Sequence, residues 1–487
     1  MSGAELITLA LVVPAATAVL VALFYKRPNV REGATMAGTV VLFAVVAALL
    51  VQVFGGAAPA LHLIDVLPGL SIAFAVEPLG ALFATVASGL WIVNSLYSIG
   101  YMRANGEQRQ TVFYVCFALA LAATMGLALS ANLFTAYLFY EMLTLVTYPL
   151  VTHRGDEEAK SAGRLYLLLL LGTSILLLLP AIAWTGIAAG TLDFHAGGIL
   201  AGKLAPAAMG LLLALYIFGI AKAAVMPVHL WLPAAMVAPT PVSALLHAVA
   251  VVKAGVFLVV KVVVFVFGVD TLKASGAGDW LVYVAGFTVI VASLVAFRQD
   301  HLKRRLAYST ISQLGYVVLG ASLASGWGIV GAGVQIVMHA VAKITLFFCA
   351  GAIHTAAHKE NISELSGLGR TMPLTFAFFL IGACSVIGLP LFGGFWGKWY
   401  LVMGAADAGH IAIVVVLMVS TLLNVGYLLP IPFRAFFLAP PEGRKATGIK
   451  EAPWPLLVAM AVTSLMCIVL FFIPGPIVGF LERLLTQ

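Results

Sequence analysis

One carboxylate lies deep in an apolar run. Glu141 sits midway along residues 132–151, NLFTAYLFYEMLTLVTYPLV, and is the only one of nineteen Asp and Glu residues so placed. A lone carboxylate in hydrocarbon either takes up a proton or finds a cation. Lys222 is the natural candidate, at the end of an apolar helix that runs into AKAAVMPVHLWLP. Pro227, Pro233, Pro239 and Pro241 follow; each removes an amide donor and clashes with the preceding turn, so the helix must break. In lipid, a broken helix survives only where it is buried in protein or lines a wet cavity. Lysine at mid-membrane costs about 2.5–3.5 kcal/mol on insertion scales, so Lys222 and Lys253, flanked by long apolar runs, read as functional. Lys261, near the end of its helix, reads as snorkelling to an interface. A Glu141–Lys222 pair would hold the amine charged and release its proton on separation. The other reading is a static buried ion pair.

A second set of ionisable groups lies in VQIVMHAVAKITLFFCAGAIHTAAHK, residues 334–359. His339 and Lys343 are i,i+4 and share a face. His354, eleven residues beyond Lys343, returns to within about 20° of it, and Gln335 precedes His339 by one turn. Histidine titrates near neutrality and carries protons in either direction, so His with Lys suits a relay. His354 reads equally well as an interfacial residue. His247 and Lys253 are six apart and do not share a face, but can link neighbouring groups. His229 sits in the first break, as a cavity group or simply hydrated. Lys398 follows a second interruption, GLPLFGGFWGKW at 388–399, as Lys222 accompanies the first.

The chain that must position these groups is 62% hydrophobic and only 9% charged, with mean hydropathy +1.10. A soluble domain carries about 25% charged residues, so this is a polytopic membrane protein. Positive charge follows the first apolar run at Lys26, Arg27 and Arg31, which predicts a retained helix, not a signal peptide. Fourteen apolar runs are candidate spans: 4–25, 35–54, 77–100, 111–129, 132–152, 163–186, 206–239 (broken), 242–267, 280–298, 306–325, 328–356, 373–403 (broken), 410–438 and 454–473. Of 26 Lys and Arg residues, 18 fall in odd-numbered loops, three in even loops and the tail, and five within spans. Positive charge marks the cytoplasmic side, so both termini are expected outside. The net charge of +7 is thus mostly topological and calls for no nucleic-acid partner. Glu77 reads as interfacial, and the stretch 54–76 as a loop.

The two interruptions, each with a lysine, lie five helices apart. An odd offset reverses direction across the membrane, so two five-helix units form an inverted repeat. The expected fold is therefore all-α, with fourteen transmembrane helices and two inverted repeats. Helices 1–3 occupy residues 1–110, the repeats 111–267 and 280–438, and the last helix 454–487. Four cysteines in apolar helices imply neither a metal site nor a disulfide framework. No phosphate-binding loop, CxxC pair, haem pattern or dinucleotide fingerprint is present. No cofactor or metal is expected, and a gradient or a partner must drive ion movement.

Several stretches carry a family resemblance: LFYEMLTLVTYPL around Glu141, AKAAVMPVHLWLP, APTPVSALLHAVAVVKAG (238–255), HLKRRLAYSTISQLGY (301–316), MHAVAKITLFFCAGAI (338–353) and the break at 388–398. Together they resemble the antiporter-like subunits shared by respiratory complex I, membrane-bound hydrogenases and Mrp-type cation/proton antiporters. The resemblance implies a proton route through Glu141, Lys222, Lys253 with His247, Lys343 with His339, and Lys398; His229 and His354, from their positions in the sequence, are accessory candidates. It implies a transporter subunit in a bacterial cytoplasmic membrane, with other membrane subunits as partners, H+ as substrate and Na+ as a candidate second ion. Size and ending look most like an Mrp D subunit. A complex I-like or hydrogenase-linked pump, and a scaffold whose lysines only hold helices together, are the alternatives.

Overall fold

The computed structural model describes residues 1–245, 250–440 and 448–485. Helix starts follow local capping chemistry. Ser2 and Glu5 form a capping box on α1 (Gly3–Leu23), and Pro28 opens α2 (Pro28–Phe54). The Glu77 carboxylate caps α3 (Pro78–Ala104); α4 (Gln110–Ala128) follows. Asn132 caps α5 (Leu133–Val151) and Asp156 caps α6 (Glu157–Thr173). Each such oxygen satisfies an amide that the first turn leaves open. A π-turn at Ser174–Leu178 joins α6 to α7 (Leu179–Ala189). Pro180 lacks an N–H and crowds the preceding turn, and the wider turn absorbs both.

Residues 60–75 are not a loop. The strands β1 (Ala60–Leu67) and β2 (Leu70–Ala75) pair antiparallel around Pro68–Gly69. Ala75 N donates to Leu129 O at 2.8 Å and Ala131 N to Ala73 O at 3.0 Å, which ties the hairpin to the α4–α5 corner. The expectation of an all-α chain fails here because β2 alternates Leu70, Ile72 and Phe74, half-buried to buried, and pairs with the largely exposed β1.

The rest is helical. Among the described residues, ten helices are long and apolar enough to cross a membrane, or eleven if Val251–Phe267 and Val269–Ser275, bent by 75°, are one span. Two apolar stretches are interrupted. α8 (Pro206–Gly219) gives way to a 3-10 turn at Ala221–Ala223. The chain then passes through the short helices α9 (Trp231–Ala234) and α10 (Thr240–Ala244) to α11 (Val251–Val262). After α12 (Val269–Ser275) come α13 (Asp279–Arg298), α14 (Leu302–Ser322) and α15 (Gly326–Ala357). α16 (Pro373–Ile387) and α17 (Gly394–Asp407) flank the second interruption. α18 (Ile411–Leu428), α19 (Pro430–Phe437), α20 (Trp454–Phe472) and α21 (Pro474–Glu482) complete the chain.

The freed backbone groups at the interruptions find partners. Lys222 N donates to the Tyr140 hydroxyl at 3.3 Å, Met226 N to Thr288 Oγ1 at 3.2 Å, and Trp231 Nε1 to Ala221 O at 2.9 Å. At the second, Gly393 N donates to Cys467 O at 2.7 Å and Trp396 Nε1 to Phe471 O at 2.8 Å. Protein thus replaces the water that lipid cannot supply. α15 is the central column: its apolar window is wholly buried, against α3, α11, α14, α16, α17 and α20.

The first interruption meets α11 at Gly255, where an added Cβ would collide with Lys222 C and Ala223 N. Only a residue without Cβ permits this approach. Gly255→Ala should therefore destabilise the protein by about 1–3 kcal/mol through overpacking. Gly172→Ala, with nothing within 4 Å of the new Cβ, should be neutral or stabilising by up to ~1 kcal/mol. Thermal unfolding of both variants in the same detergent checks this; equal melting temperatures would contradict the packing argument.

Candidate functional site

Besides Lys261, four lysines are buried along the interior: Lys222, Lys253 and Lys343 at 0% exposure and Lys398 at 8%. Among the described residues, none lies within 4 Å of a carboxylate oxygen. The Lys222 ammonium reaches across to α5, donating to Tyr140 O at 2.8 Å and Thr144 Oγ1 at 2.5 Å. It also lies 3.2 Å from the centroid of the Tyr140 ring, a close cation–π contact. Glu141 and Lys222 therefore do not form the direct ion pair that their types predict. Lys222 docks on the Tyr140/Thr144 face, and Glu141 turns about 100° away from Tyr140 around the same helix. Lys222 still acts on Glu141 electrostatically, as does the Ser174 hydroxyl on the π-turn.

Lys253 on α11 meets His339 on α15, with Nζ and Nδ1 2.6 Å apart. Such a contact needs one donor and one acceptor, so a lysine ammonium and a doubly protonated imidazole cannot both occupy it. One turn along α15, the Lys343 ammonium donates to Ser309 Oγ at 2.6 Å and Leu306 O at 3.3 Å. Tyr427 donates to the same Ser309 oxygen at 2.9 Å and is also hydrogen-bonded to Asn424. In the other direction Gln335 bonds Gln313 at 2.8 Å. The polar face of α15 thus looks onto α14 and α11.

Lys398 lies beyond Gln335. Its ammonium donates to Ile387 O at 2.8 Å and Thr421 Oγ1 at 3.2 Å, and sits 5.1 Å from the Tyr316 ring. Ile387 ends α16, where carbonyls are open and the helix dipole is negative. The two interruptions therefore hold their lysines differently: Lys222 leans on a neighbouring helix, Lys398 on the end of its own broken one. A Cβ at Gly397 would collide with Gln335 Oε1, so α17 lies directly on the α15 polar face.

Neutral oxygens and an imidazole hold these amines. A hydroxyl accepts from an ammonium and can donate to a neutral amine, so the same side chains serve both protonation states. Fixed carboxylates would favour only the charged form.

His247 lies outside the described residues. His229, half-buried in the first interruption, bonds Pro227 O through Nδ1 at 3.2 Å and faces Tyr308. His354 does not join Lys343 despite sharing its angular position, because three helical turns separate them. It pairs instead with Glu360 at 3.2 Å in a polar vestibule of about 540 Å³ that includes Glu107, Arg154, Lys303 and His358. Contacts with His301 at 3.5 Å and His354 at 3.2 Å hold the Glu360 carboxyl well below its ordinary range, while burial pushes Glu107 up.

Lys261 does not snorkel. It is fully buried, donates to Ser130 O at 2.7 Å, and lies 3.4 Å from Glu77. Glu77 is accordingly a helix cap facing a buried amine, not an exposed interfacial residue. Sequence reading also passed over Tyr140, Thr144, Ser309 and Thr421, acceptors of the buried amines, and Tyr427 behind Ser309. Small polar residues in membrane helices commonly bond their own backbone, and only packing shows which ones face a lysine.

Residues 130–424 match the membrane family described as NADH:quinone oxidoreductase/Mrp antiporter, TM. The chain belongs to that family. This antiporter-like protein is 30% identical to NADH-quinone oxidoreductase subunit N of Desulforudis audaxviator, over 77% of this chain and 75% of that protein. It is 31% identical to a Na(+)/H(+) antiporter subunit of Alkalihalophilus pseudofirmus, over 85% of this chain but 54% of that longer protein. Its fold matches a chain in the structure of the Mrp complex from Dietzia sp. DQ12-45-1b with TM-score 0.87 and 25% identity, covering 100% of this chain and 98% of that one. A membrane-bound sulfane sulfur reductase chain shares the fold at TM-score 0.87 and 24% identity. The antiporter-like chain is thus a multi-pass membrane protein of a family spread across ion antiporters and redox complexes.

The Lys253–His339 contact predicts coupling. Lys253→Met and His339→Leu should each destabilise the protein, and the double variant should cost less than their sum by about 0.5–3 kcal/mol. A double-mutant cycle on thermal unfolding measures this; strict additivity would mean the contact carries no energy. In the vestibule, Glu360 is depressed in the folded state, so its contribution is present above the ordinary glutamate pKa of about 4.3 and is lost as pH falls through the folded value. Glu360→Gln should lower the melting temperature at pH 6, with the gap to wild type narrowing below about pH 4. A gap independent of pH would oppose this.

Proposed function

We propose that this chain is a proton-translocating subunit of a multisubunit Na+/H+ antiporter of the Mrp type. The reading is carried by the succession of buried amines held by neutral acceptors in a chain whose whole length matches one in an Mrp complex. In this reading protons enter beside the two interruptions and step along Glu141, Lys222, Lys253 with His339, Lys343 and Lys398, with His247 as a further candidate. His229 and His354 act as accessory groups at the entrances. A proton arriving at Lys253 or His339 must displace the one shared there, because both sites cannot be filled at the contact. Charge on Lys343, one turn away, then disfavours a second charge on Lys253. Glu141 modulates Lys222 through space and answers to the charge of a neighbouring subunit.

The proposal includes fourteen spans in two inverted repeats, 111–267 and 280–438, flanked by residues 1–110 and 454–487. It places both termini outside a bacterial cytoplasmic membrane. Partners are other membrane subunits; the ions are H+ and, as a candidate, Na+. A second reading, favoured by the likeness to an NADH-quinone oxidoreductase protein, assigns the same path to a redox-driven pump of the complex I or hydrogenase kind.

Lys222→Ala and Glu141→Ala should abolish proton-coupled transport in everted vesicles while the complex still assembles. Full transport in both would overturn the path, and loss of assembly in both would favour a scaffold role. Mass spectrometry of the complex extracted in mild detergent separates the two driving forces. Small hydrophobic and antiporter-like chains alone are expected; iron–sulfur, flavin or nickel–iron proteins would move the assignment to the redox pump.

A further inference from the structure

Behind the proton-path face of α15 lies a wholly different cavity. A groove of about 500 Å³ opens between α2, α3, α20 and α21, with almost no polar atom on its walls. Its floor includes Val337 and Val341, which flank His339 in sequence but stand about 200° around α15 from it. Its end is formed by Phe54 and Phe480, stacked with ring centroids 4.4 Å apart. Over both rings lies the Arg483 guanidinium, 5.6 Å and 5.9 Å from their centroids. Arg483 is anchored there by hydrogen bonds to Phe54 O at 2.9 Å and Val53 O at 3.3 Å, at the C-terminal end of α2.

Two features specify an occupant. The groove runs along α2 from Phe54 to Phe43, roughly 16 Å at 1.5 Å per residue. That is about half of a ~30 Å hydrocarbon core, the depth of one leaflet. A fixed cation then stands at the end of the groove where the hydrocarbon stops, at the level of lipid phosphates. We propose that the groove binds one acyl chain of an anionic phospholipid, with the phosphate on Arg483. The lipid packs against the back of the helix that carries His339 and Lys343, so its occupancy stiffens α15 from the side opposite the buried amines. The site is independent of which complex the protein serves.

The intact complex in nanodiscs of equal phosphatidylglycerol and phosphatidylcholine provides the test. Mild delipidation followed by native mass spectrometry counts the retained phospholipid. Wild type is expected to keep phosphatidylglycerol in at least fivefold preference. Arg483→Gln should keep a phospholipid but lose the preference, and Val86→Trp, which fills the groove, should lose the lipid. Gly89→Leu, also on the groove wall, serves as the second filling variant should the tryptophan impair folding. Equal retention in wild type and both filling variants would overturn the proposal. So would an unchanged lipid preference in Arg483→Gln, a retained neutral isoprenoid in place of phospholipid, or cross-linking of a cysteine at Val93 to a partner protein lying in the groove.

Discussion

Every buried amine in the succession from Lys222 to Lys398 must be held by protein groups that, among the described residues, include no carboxylate at contact distance. An isolated ammonium in a low-dielectric interior is prohibitive unless oxygens or nitrogens surround it. The chain meets that demand with backbone carbonyls, hydroxyls, aromatic faces and one imidazole. Tyr140 O and Thr144 serve Lys222, His339 serves Lys253, Ser309 serves Lys343, and Ile387 O with Thr421 serves Lys398. The supply of acceptors constrains the architecture. Freed carbonyls require helices to stop inside the membrane, and stopped helices require neighbours that satisfy the remaining backbone groups.

This arrangement differs from an ion-pair design in its consequences. A lysine locked to a carboxylate at contact distance is charged over most of the pH range and trades protons poorly. Lys261 has a carboxylate of this kind in Glu77, 3.4 Å away, and stands eight residues beyond Lys253 on α11, about 12 Å along the helix. The lysines of that succession rest on groups that tolerate either protonation state, and two of the contacts (Lys253–His339 and Lys343–Ser309–Tyr427) extend into further titratable or hydroxyl groups. The same helix, α15, presents Gln335, His339 and Lys343 to this face and an apolar floor to the groove on its other side.

The vestibule around Glu107, His354 and Glu360 is chemically distinct from the buried path. Its groups are partly solvated and paired in opposite charges. Burial pushes Glu107 up and pairing pushes Glu360 down. It meets water at one end of α15, while the amines on the same helix stay buried.

Much was legible in the chain itself. Apolar run lengths and prolines beside a buried lysine follow from the cost of charge and of open backbone in hydrocarbon, which applies residue by residue. The i,i+4 spacing of His339 and Lys343 similarly follows from helical geometry alone. What the tertiary structure decided is which groups meet. The contact of Lys253 with His339 spans 86 residues, and that of Lys222 with Tyr140 spans 82; no local pattern encodes either. Tertiary packing also turned Glu141 aside from Lys222, buried Lys261 against Glu77, carried His354 into the vestibule, and paired residues 60–75 as a hairpin. In each case a side chain's neighbours lay on another element, and hydrophobicity, which sorts residues inside from outside, does not say which inside groups touch.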